Sequence, residues 1–113
     1  MFHRKTLHDI DIAGKRVLLR ADYNVPMNKD GSVASAYRIE QSLPTIQALL
    51  EKGCQIIICS HLGRPKGPND SSCSLKPVAR ELSGLLKKDI TFVPDCVGDS
   101  VKKAVSTMHS GDI

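Results

Sequence analysis

Two short apolar runs place the strongest constraint on the fold of this chain, namely KRVLLRAD at 15–22 and CQIIICS at 54–60. Their apolar residues are consecutive rather than alternating, so both faces of each predicted strand need to be covered. Strands buried on both faces are typical of parallel sheets, in which helices cover the two sides. A further run, ITFV at 90–93, ends at Pro94 and is predicted as a third strand.

The segments that follow these runs have helical spacing of their apolar residues. In the first, which starts at Arg38, these residues are Ile39, Leu43, Ile46, Leu49 and Leu50. Pro44 predicts a turn or a kink there, and Gly53 a left-handed cap at the end. A second helix, capped by Ser74, has Leu75, Val78, Ala79, Leu82, Leu85 and Leu86 on one face. A third, closed by Gly111, carries Val101, Ala104, Val105 and Met108.

This order of strand and helix, repeated three times, predicts an α/β fold with a parallel sheet and right-handed crossovers. The expected architecture is a Rossmann-like three-layer α/β/α arrangement. The alternation calls for a fourth strand at GDI (111–113), so we interpret the sheet as incomplete and the sequence as cut rather than finished. Uncovered apolar edges then predict a marginally stable, aggregation-prone or partly molten chain.

Composition excludes several classes of protein. The 113 residues are 41% hydrophobic and 25% charged, which is typical of one soluble globular domain or of a piece of a larger one. The net charge of +4 is scattered, and a basic helix with stacking aromatics is missing, which disfavours nucleic-acid binding. The four cysteines lack metal-ligand spacing and are predicted to be reduced. With neither an apolar leader nor a run of about 20 apolar residues, a soluble, intracellular protein without membrane contact is expected. The expected compartment is the cytoplasm, with an organelle as the alternative.

Polar side chains follow the first two predicted strands at the edge where parallel sheets bind ligands. RADYNVP supplies Asp22 and Asn24, and SHLGRP supplies His61 and Arg64. Arg38 opens the following helix and can point to the same edge. Guanidinium groups, an imidazole and hydroxyl-binding groups together suit a small anionic hydroxy acid or a phosphate ester.

Structural interpretations of the same residues remain open. A histidine after a strand often has only a structural role, and Asp22 and Asn24 can cap loop backbone. Gly63 would allow the backbone to approach a ligand closely, and Pro65 would stiffen the turn. Neither G-x-x-x-x-G-K-[ST] nor G-x-G-x-x-G occurs, so the sequence contains no nucleotide-binding fingerprint and no predicted metal site.

Five blocks in order give the chain a resemblance to a known family. VLLRADYNVP (17–26) resembles the R-x-D-x-N-x-P motif of the phosphoglycerate kinases. The blocks that resemble the family's following motifs are RIEQSLPTIQALLEKG (38–53), SHLGRPKG (60–67), SLKPVARELSGLL (74–86) and FVPDCVG (92–98). The resemblance runs from about residue 6 to the last residue. Before Arg38 the chain has ASAY where the family usually carries a polar, often acidic stretch.

The resemblance implies a two-lobed glycolytic enzyme that transfers a phosphoryl group between 1,3-bisphosphoglycerate and ADP, giving 3-phosphoglycerate and ATP. Residues 1–113 would be part of the amino-terminal 3-phosphoglycerate-binding domain, without the hinge and the nucleotide-binding domain. Mg-ATP or Mg-ADP would bind outside this segment, and the complete enzyme is expected to be a monomer. The chain alone is therefore predicted to be inactive.

The family's site residues are carried over by motif. Asp22 and Asn24 would bind the hydroxyl and carboxyl region of the glycerate. Arg38, the implied catalytic residue, would position the reacting carboxyl group and stabilise charge during transfer. His61 and Arg64 would join a basic patch that holds the substrate's oxyanions. The alternatives are a truncated anion-binding module without catalysis and, more weakly, a nucleic-acid-binding domain.

Overall fold

The computed structural model describes residues 4–64, 66–67 and 71–113. Its regular elements are β1 (Arg16–Arg20), α1 (Tyr37–Glu51), β2 (Gln55–Cys59), α2 (Lys76–Leu86) and α3 (Asp99–Ser106), with short 3-10 helices at Leu7–Asp9 and Ser71–Cys73. No helix in this described part of the chain is both long enough and apolar enough to cross a membrane.

The sheet joins β1 and β2 in parallel, with Arg16 opposite Gln55 and Arg20 opposite Cys59. The connection between these strands contains α1, so the unit is a βαβ crossover. This arrangement confirms the predicted α/β class with a parallel sheet, and the small sheet is incomplete as expected. Both strands are shorter than the predicted runs, although one further backbone bond at each end, Gln55 to Lys15 and Ala21 to Cys59, continues the pairing.

The core lies on the face of the sheet that α1 and α2 cover. Its largest fully buried side chains are Ile39, Ile46, Leu49, Ile56, Val78 and Cys54. On the opposite face, Nη2 of Arg16 donates to the carbonyl of Val105 at 3.3 Å and Nε2 of Gln55 donates to that of Met108 at 3.1 Å. These contacts tie the end of α3 and the turn after it to the start of both strands, while Leu18, further along the same face, stays 69% exposed.

The predicted third strand at 90–93 is wrong as a regular strand, because a different segment lies next to β2. The amide of Gly111 donates to the carbonyl of Cys54, and the amide of Ile56 donates to that of Asp112, both at 2.9 Å. The amide of Thr91 in turn donates to the carbonyl of Ile113 at 3.0 Å. A strand needs a ladder of consecutive bonds, and the short segment 111–113 does not supply one. Its position nevertheless agrees with the predicted start of a fourth strand at 111.

The first helix passes through its proline. Pro44 lies within α1, which continues to Glu51, so the expected turn does not form there. The predicted cap at Gly53 is confirmed, since this residue has φ +70°. Its amide donates to the carbonyl of Leu50, and the amide of Cys54 donates to the carbonyl of Leu49. This pattern is a Schellman motif, which satisfies carbonyls that the last helical turn leaves open.

The ends of the later helices differ in part from expectation. The prediction that Ser74 caps α2 is wrong, because the helix begins at Lys76 and its N-cap is Leu75; the hydroxyl of Ser74, one residue earlier, accepts from the amide of Lys76 at 3.2 Å. The third helix ends at Ser106, so the prediction that Gly111 closes it is wrong. Gly111 has φ +84° and lies in a turn that brings the chain to β2, where Cys54 accepts its amide proton.

Leu18 lies on the poorly covered face of β1, with 69% of its surface exposed. Exposed apolar surface on a sheet promotes association, so Leu18→Lys should reduce aggregation of the chain on warming without loss of helical content. Light scattering and circular dichroism during a thermal ramp would test this. Leu19→Lys is the matched control, since Leu19 packs against the core and this change should unfold the chain. A monodisperse wild-type chain with a sharp thermal transition would contradict the expectation.

Candidate functional site

The carboxyl ends of β1 and β2 lie side by side because the strands are parallel and in register. The amide of Ala21 donates to the carbonyl of Cys59 at 3.1 Å, which extends the pairing by one step. The loops that contain the predicted site residues therefore leave the sheet next to each other. The tertiary structure places residues 21–25 and 60–64 at one edge.

Arg38 is held by the loop that follows β1. Its Nη1 donates to Oδ1 of Asp22 at 3.2 Å and to the carbonyl oxygen of Asn24 at 2.7 Å. The side chains of Arg38 and Asp22 are 49% and 67% exposed, so this ion pair contributes little to stability. Across the described residues, Nη2 and Nε of Arg38 have no hydrogen-bond partner. The pair therefore orients the guanidinium and leaves two of its nitrogens for an anion.

Asn24 ties the two loops together. Its side-chain Oδ1 accepts a hydrogen bond from the backbone amide of Gly63 at 2.9 Å. The backbone amide of Asn24 donates to Oδ1 of Asp22 at 3.2 Å. Gly63 has φ +63°, and a Cβ there would lie 3.2 Å from Sγ of Cys73. The glycine is thus required by its backbone conformation and by this close approach. Asp22 and Asn24 do cap loop backbone, which was one of the open interpretations, and Pro65 lies outside the described residues.

His61 and Arg64 are exposed on the loop that Asn24 tethers. Within the part of the chain that is described, neither side chain forms a hydrogen bond or an ion pair. The structure thus joins Asp22, Asn24 and Arg38 by direct bonds, and it brings the His61–Arg64 segment to them only through the backbone of Gly63. The side chains of His61 and Arg64 are free to meet an anion at this edge.

Two features of the site escaped the sequence interpretation. Tyr23 is 3% exposed, and its hydroxyl lies 2.7 Å from Oγ of Ser42 in α1. Burial raises the pKa of the Tyr23 phenol above its ordinary value of 10.0, and the hydrogen bond with Ser42 partly offsets that rise. The only signal in the sequence was an aromatic residue between two polar ones. The second is Arg20, the last residue of β1, which belongs to the R-x-D-x-N-x-P motif but is not among the predicted site residues, although it lines the cavity described next.

A cavity of about 290 Å³ opens between the end of β1 and α1. Arg20, Asp22 and Arg38 line it together with the hydroxyl-bearing Ser42 and Thr45. Two guanidinium groups beside hydroxyls favour an anionic ligand that also carries hydroxyl groups. The cavity therefore agrees with the kind of ligand that the residue types at this edge predict.

The same residues do not fit a Mg²⁺ ion or a Mg-nucleotide. Magnesium requires oxygen ligands, and the carboxylate of Asp22 is already paired with Arg38. The described ranges contain no group of three or more His, Cys, Asp and Glu side chains that could hold a metal ion.

The parallel βαβ unit defines an open, Rossmann-like α/β fold. A model of the family described as phosphoglycerate kinase matches residues 7–113. The chain therefore belongs to the phosphoglycerate kinase family, as its five motifs indicate.

Individual relatives agree with this assignment. The chain is 48% identical over 113 residues to a phosphoglycerate kinase of Aquifex aeolicus and 50% identical over 109 residues to one of Borrelia turicatae. It spans 28% of the length of each. A solved phosphoglycerate kinase from Pyrococcus horikoshii superposes with a TM-score of 0.85 at 34% identity, over 95% of this chain and 26% of that one. One from Coxiella burnetii gives 0.68 at 42% identity, over 73% of this chain and 21% of that one.

Proposed function

We propose that residues 1–113 form the first part of the 3-phosphoglycerate-binding domain of a phosphoglycerate kinase. The complete enzyme would transfer a phosphoryl group between 1,3-bisphosphoglycerate and ADP, giving 3-phosphoglycerate and ATP in glycolysis. The observation that supports this best is the held guanidinium of Arg38, which keeps Nη2 and Nε available at the strand ends of a chain from this family.

Arg38 is the proposed catalytic residue. In the direction that consumes ATP, the nucleophile is a carboxylate that is already ionised at neutral pH, so the reaction needs no general base. The protein has to bring two anions together and neutralise the charge that spreads over them. A guanidinium whose orientation is fixed by Asp22 and Asn24 is suited to bind the reacting carboxylate with two parallel hydrogen bonds.

The other site residues bind the rest of the substrate in this proposal. His61 donates a hydrogen bond rather than accepting a proton, and Arg64 pairs with the oxyanions of the substrate. Oδ2 of Asp22 and Nδ2 of Asn24 have no partner among the described residues, so each can bind the hydroxyl or carboxyl region of the glycerate. Oδ1 of Asp22 accepts from Arg38, and Oδ1 of Asn24 accepts from the amide of Gly63. Both residues therefore combine a structural role with a binding role.

The nucleotide and its magnesium ion would bind to residues outside 1–113, since the donor set here does not fit them. We place the hinge and the nucleotide domain in the length by which the relatives exceed this chain. The complete enzyme is proposed to be a cytoplasmic monomer that acts on small molecules, with neither nucleic acid nor membrane as a partner.

Two measurements test this function. Purified residues 1–113 should form no ATP from 1,3-bisphosphoglycerate and ADP, because the donor set of the described residues does not fit a Mg-nucleotide. Joined to the remaining part of the Aquifex aeolicus kinase, the same residues should restore ATP formation to that part. The remaining part alone and a mock preparation are the controls. ATP formation by residues 1–113 alone would contradict the proposal that the nucleotide binds outside this segment.

The fusion also separates the proposal from the alternative of a non-catalytic anion-binding module. A module of that kind would bind 3-phosphoglycerate in a calorimetric titration but would leave a correctly folded fusion inactive. Circular dichroism of the fusion establishes whether it is folded. Turnover by the fusion supports the enzyme, and a folded fusion without turnover contradicts it.

A further inference from the structure

We infer that Tyr23 is a positioning residue of this site, because it bonds Ser42 in the second turn of α1, holds the loop that follows β1 against that helix and thereby sets the orientation of Arg38. The inference rests on the proposed function, since the site it serves is the 3-phosphoglycerate site. Tyr23 is buried and lines the inner wall of the cavity beside Asp22 and Arg38, and its hydroxyl is bonded to Ser42.

The direction of the hydrogen bonds at Tyr23 follows from the number of protons. The hydroxyl of Ser42 lies 2.6 Å from the carbonyl oxygen of Ile39, to which it donates its single proton. The phenol of Tyr23 must therefore be the donor to Oγ of Ser42, at 2.7 Å. Burial raises the pKa of this phenol, so it keeps its proton at neutral pH. The chain of bonds runs from Tyr23 through Ser42 to the carbonyl of Ile39, the neighbour of Arg38.

Two connections therefore join the loop to the start of α1. The outer one consists of Asp22, Asn24 and Arg38, and it is exposed and weak. The inner one consists of Tyr23 and Ser42, and it lies in a poorly solvated environment where hydrogen bonds are stronger. Because Tyr23 stands between the two residues that hold Arg38, the inner connection fixes the separation at which the outer one can form.

Tyr23 also orders the second loop. Its backbone amide donates to Oγ of Ser60 at 3.0 Å, and Ser60 directly precedes His61. Tyr23 thus contacts each of the three segments that contribute site residues: its own loop, α1 and the exit of β2. A side chain with only a packing role would need the ring but not the hydroxyl.

The test compares the two tyrosines of the chain, Tyr23 and Tyr37. Tyr23→Phe keeps the buried ring and removes the donor, and it should raise the dissociation constant of 3-phosphoglycerate for residues 1–113 about three- to tenfold. The guanidinium of Arg38, observed by nitrogen NMR, should become more mobile. Tyr37→Phe is the matched control and should change neither the dissociation constant nor the mobility of Arg38. Tyr37 is 65% exposed, and its hydroxyl forms no hydrogen bond within the described residues.

Variants of Ser42 test whether the effect of Tyr23→Phe comes from loss of the hydrogen bond to Ser42 or from a general loss of stability. Ser42→Ala should reproduce the Tyr23→Phe result, the double variant should add nothing further, and Ser42→Thr, which keeps a hydroxyl, should restore binding. A lower melting temperature with unchanged Arg38 mobility in Tyr23→Phe would overturn the inference, as would binding equal to that of wild type.

The two readouts separate this inference from the proposed function. If wild-type residues 1–113 showed no response to 3-phosphoglycerate, the proposed binding role of this segment would fail. The mobility of Arg38 in the ligand-free variants would still decide the role of Tyr23: an increase in Tyr23→Phe supports it, and no change contradicts it.

Discussion

Arg38→Ala is expected to lower kcat of the active fusion by about 100-fold or more, the usual effect of losing one donor that stabilises transition-state charge. The reason is its placement. The guanidinium is oriented by Asp22 and Asn24, and its Nη2 and Nε have no partner among the described residues, so they are available for the reacting carboxylate. Since the interaction would strengthen as charge develops, kcat should fall more than the KM for 3-phosphoglycerate rises. Steady-state kinetics with each substrate varied in turn would measure both.

Two variants control for charge and stability. Arg38→Lys keeps the charge but cannot bind Asp22, Asn24 and a carboxylate in the same geometry, so it should recover only part of the loss. Arg80→Ala removes an exposed arginine from α2, away from the site, and should leave kcat unchanged. The ion pair with Asp22 is exposed, so the melting temperature of Arg38→Ala should stay near that of wild type. An unchanged kcat in Arg38→Ala would remove its catalytic role.

Arg64→Ala is expected to raise the KM for 3-phosphoglycerate by about 10- to 100-fold. Hydrogen bonds to charged groups contribute about 1.5–3 kcal/mol, and about 1.4 kcal/mol corresponds to a factor of ten. Arg64 is exposed and has no partner in the described part of the chain, so its removal should cost binding but little stability. The KM for the nucleotide should barely change, because the nucleotide is proposed to bind elsewhere.

The conservative variant makes this prediction sharper. Arg64→Lys should lie between wild type and Arg64→Ala, since a lysine keeps the charge but loses the planar fork that matches an oxyanion. Kinetics at raised ionic strength should narrow the difference between Arg64→Ala and wild type, because salt screens the exposed charge that alanine lacks. An effect of Arg64→Ala chiefly on the KM for the nucleotide would contradict the assignment of Arg64 to the glycerate.

The sequence alone was sufficient to place most of the elements. Consecutive apolar residues identified β1 and β2, and helical spacing identified α1 and α2, since these patterns are local. The left-handed cap at Gly53 was also predictable, because it depends on one residue and its immediate neighbours. The predictions failed at the segments 90–93 and 107–111, where the structure depends on a partner distant in the chain. Neither composition nor spacing shows that residues 111–113 lie between β2 and 90–93.

The site divides in the same way. The sequence by itself determined which residues stand at the strand ends, because the position of a polar residue after an apolar run is a local property. Only the tertiary structure decided which atoms meet there: Asn24 bonds Gly63 across 39 positions, and Tyr23 bonds Ser42 across 19. A hydrogen bond depends on distance and angle to within fractions of an ångström, and between residues so far apart in the chain only the packing of α1 against the sheet fixes these quantities.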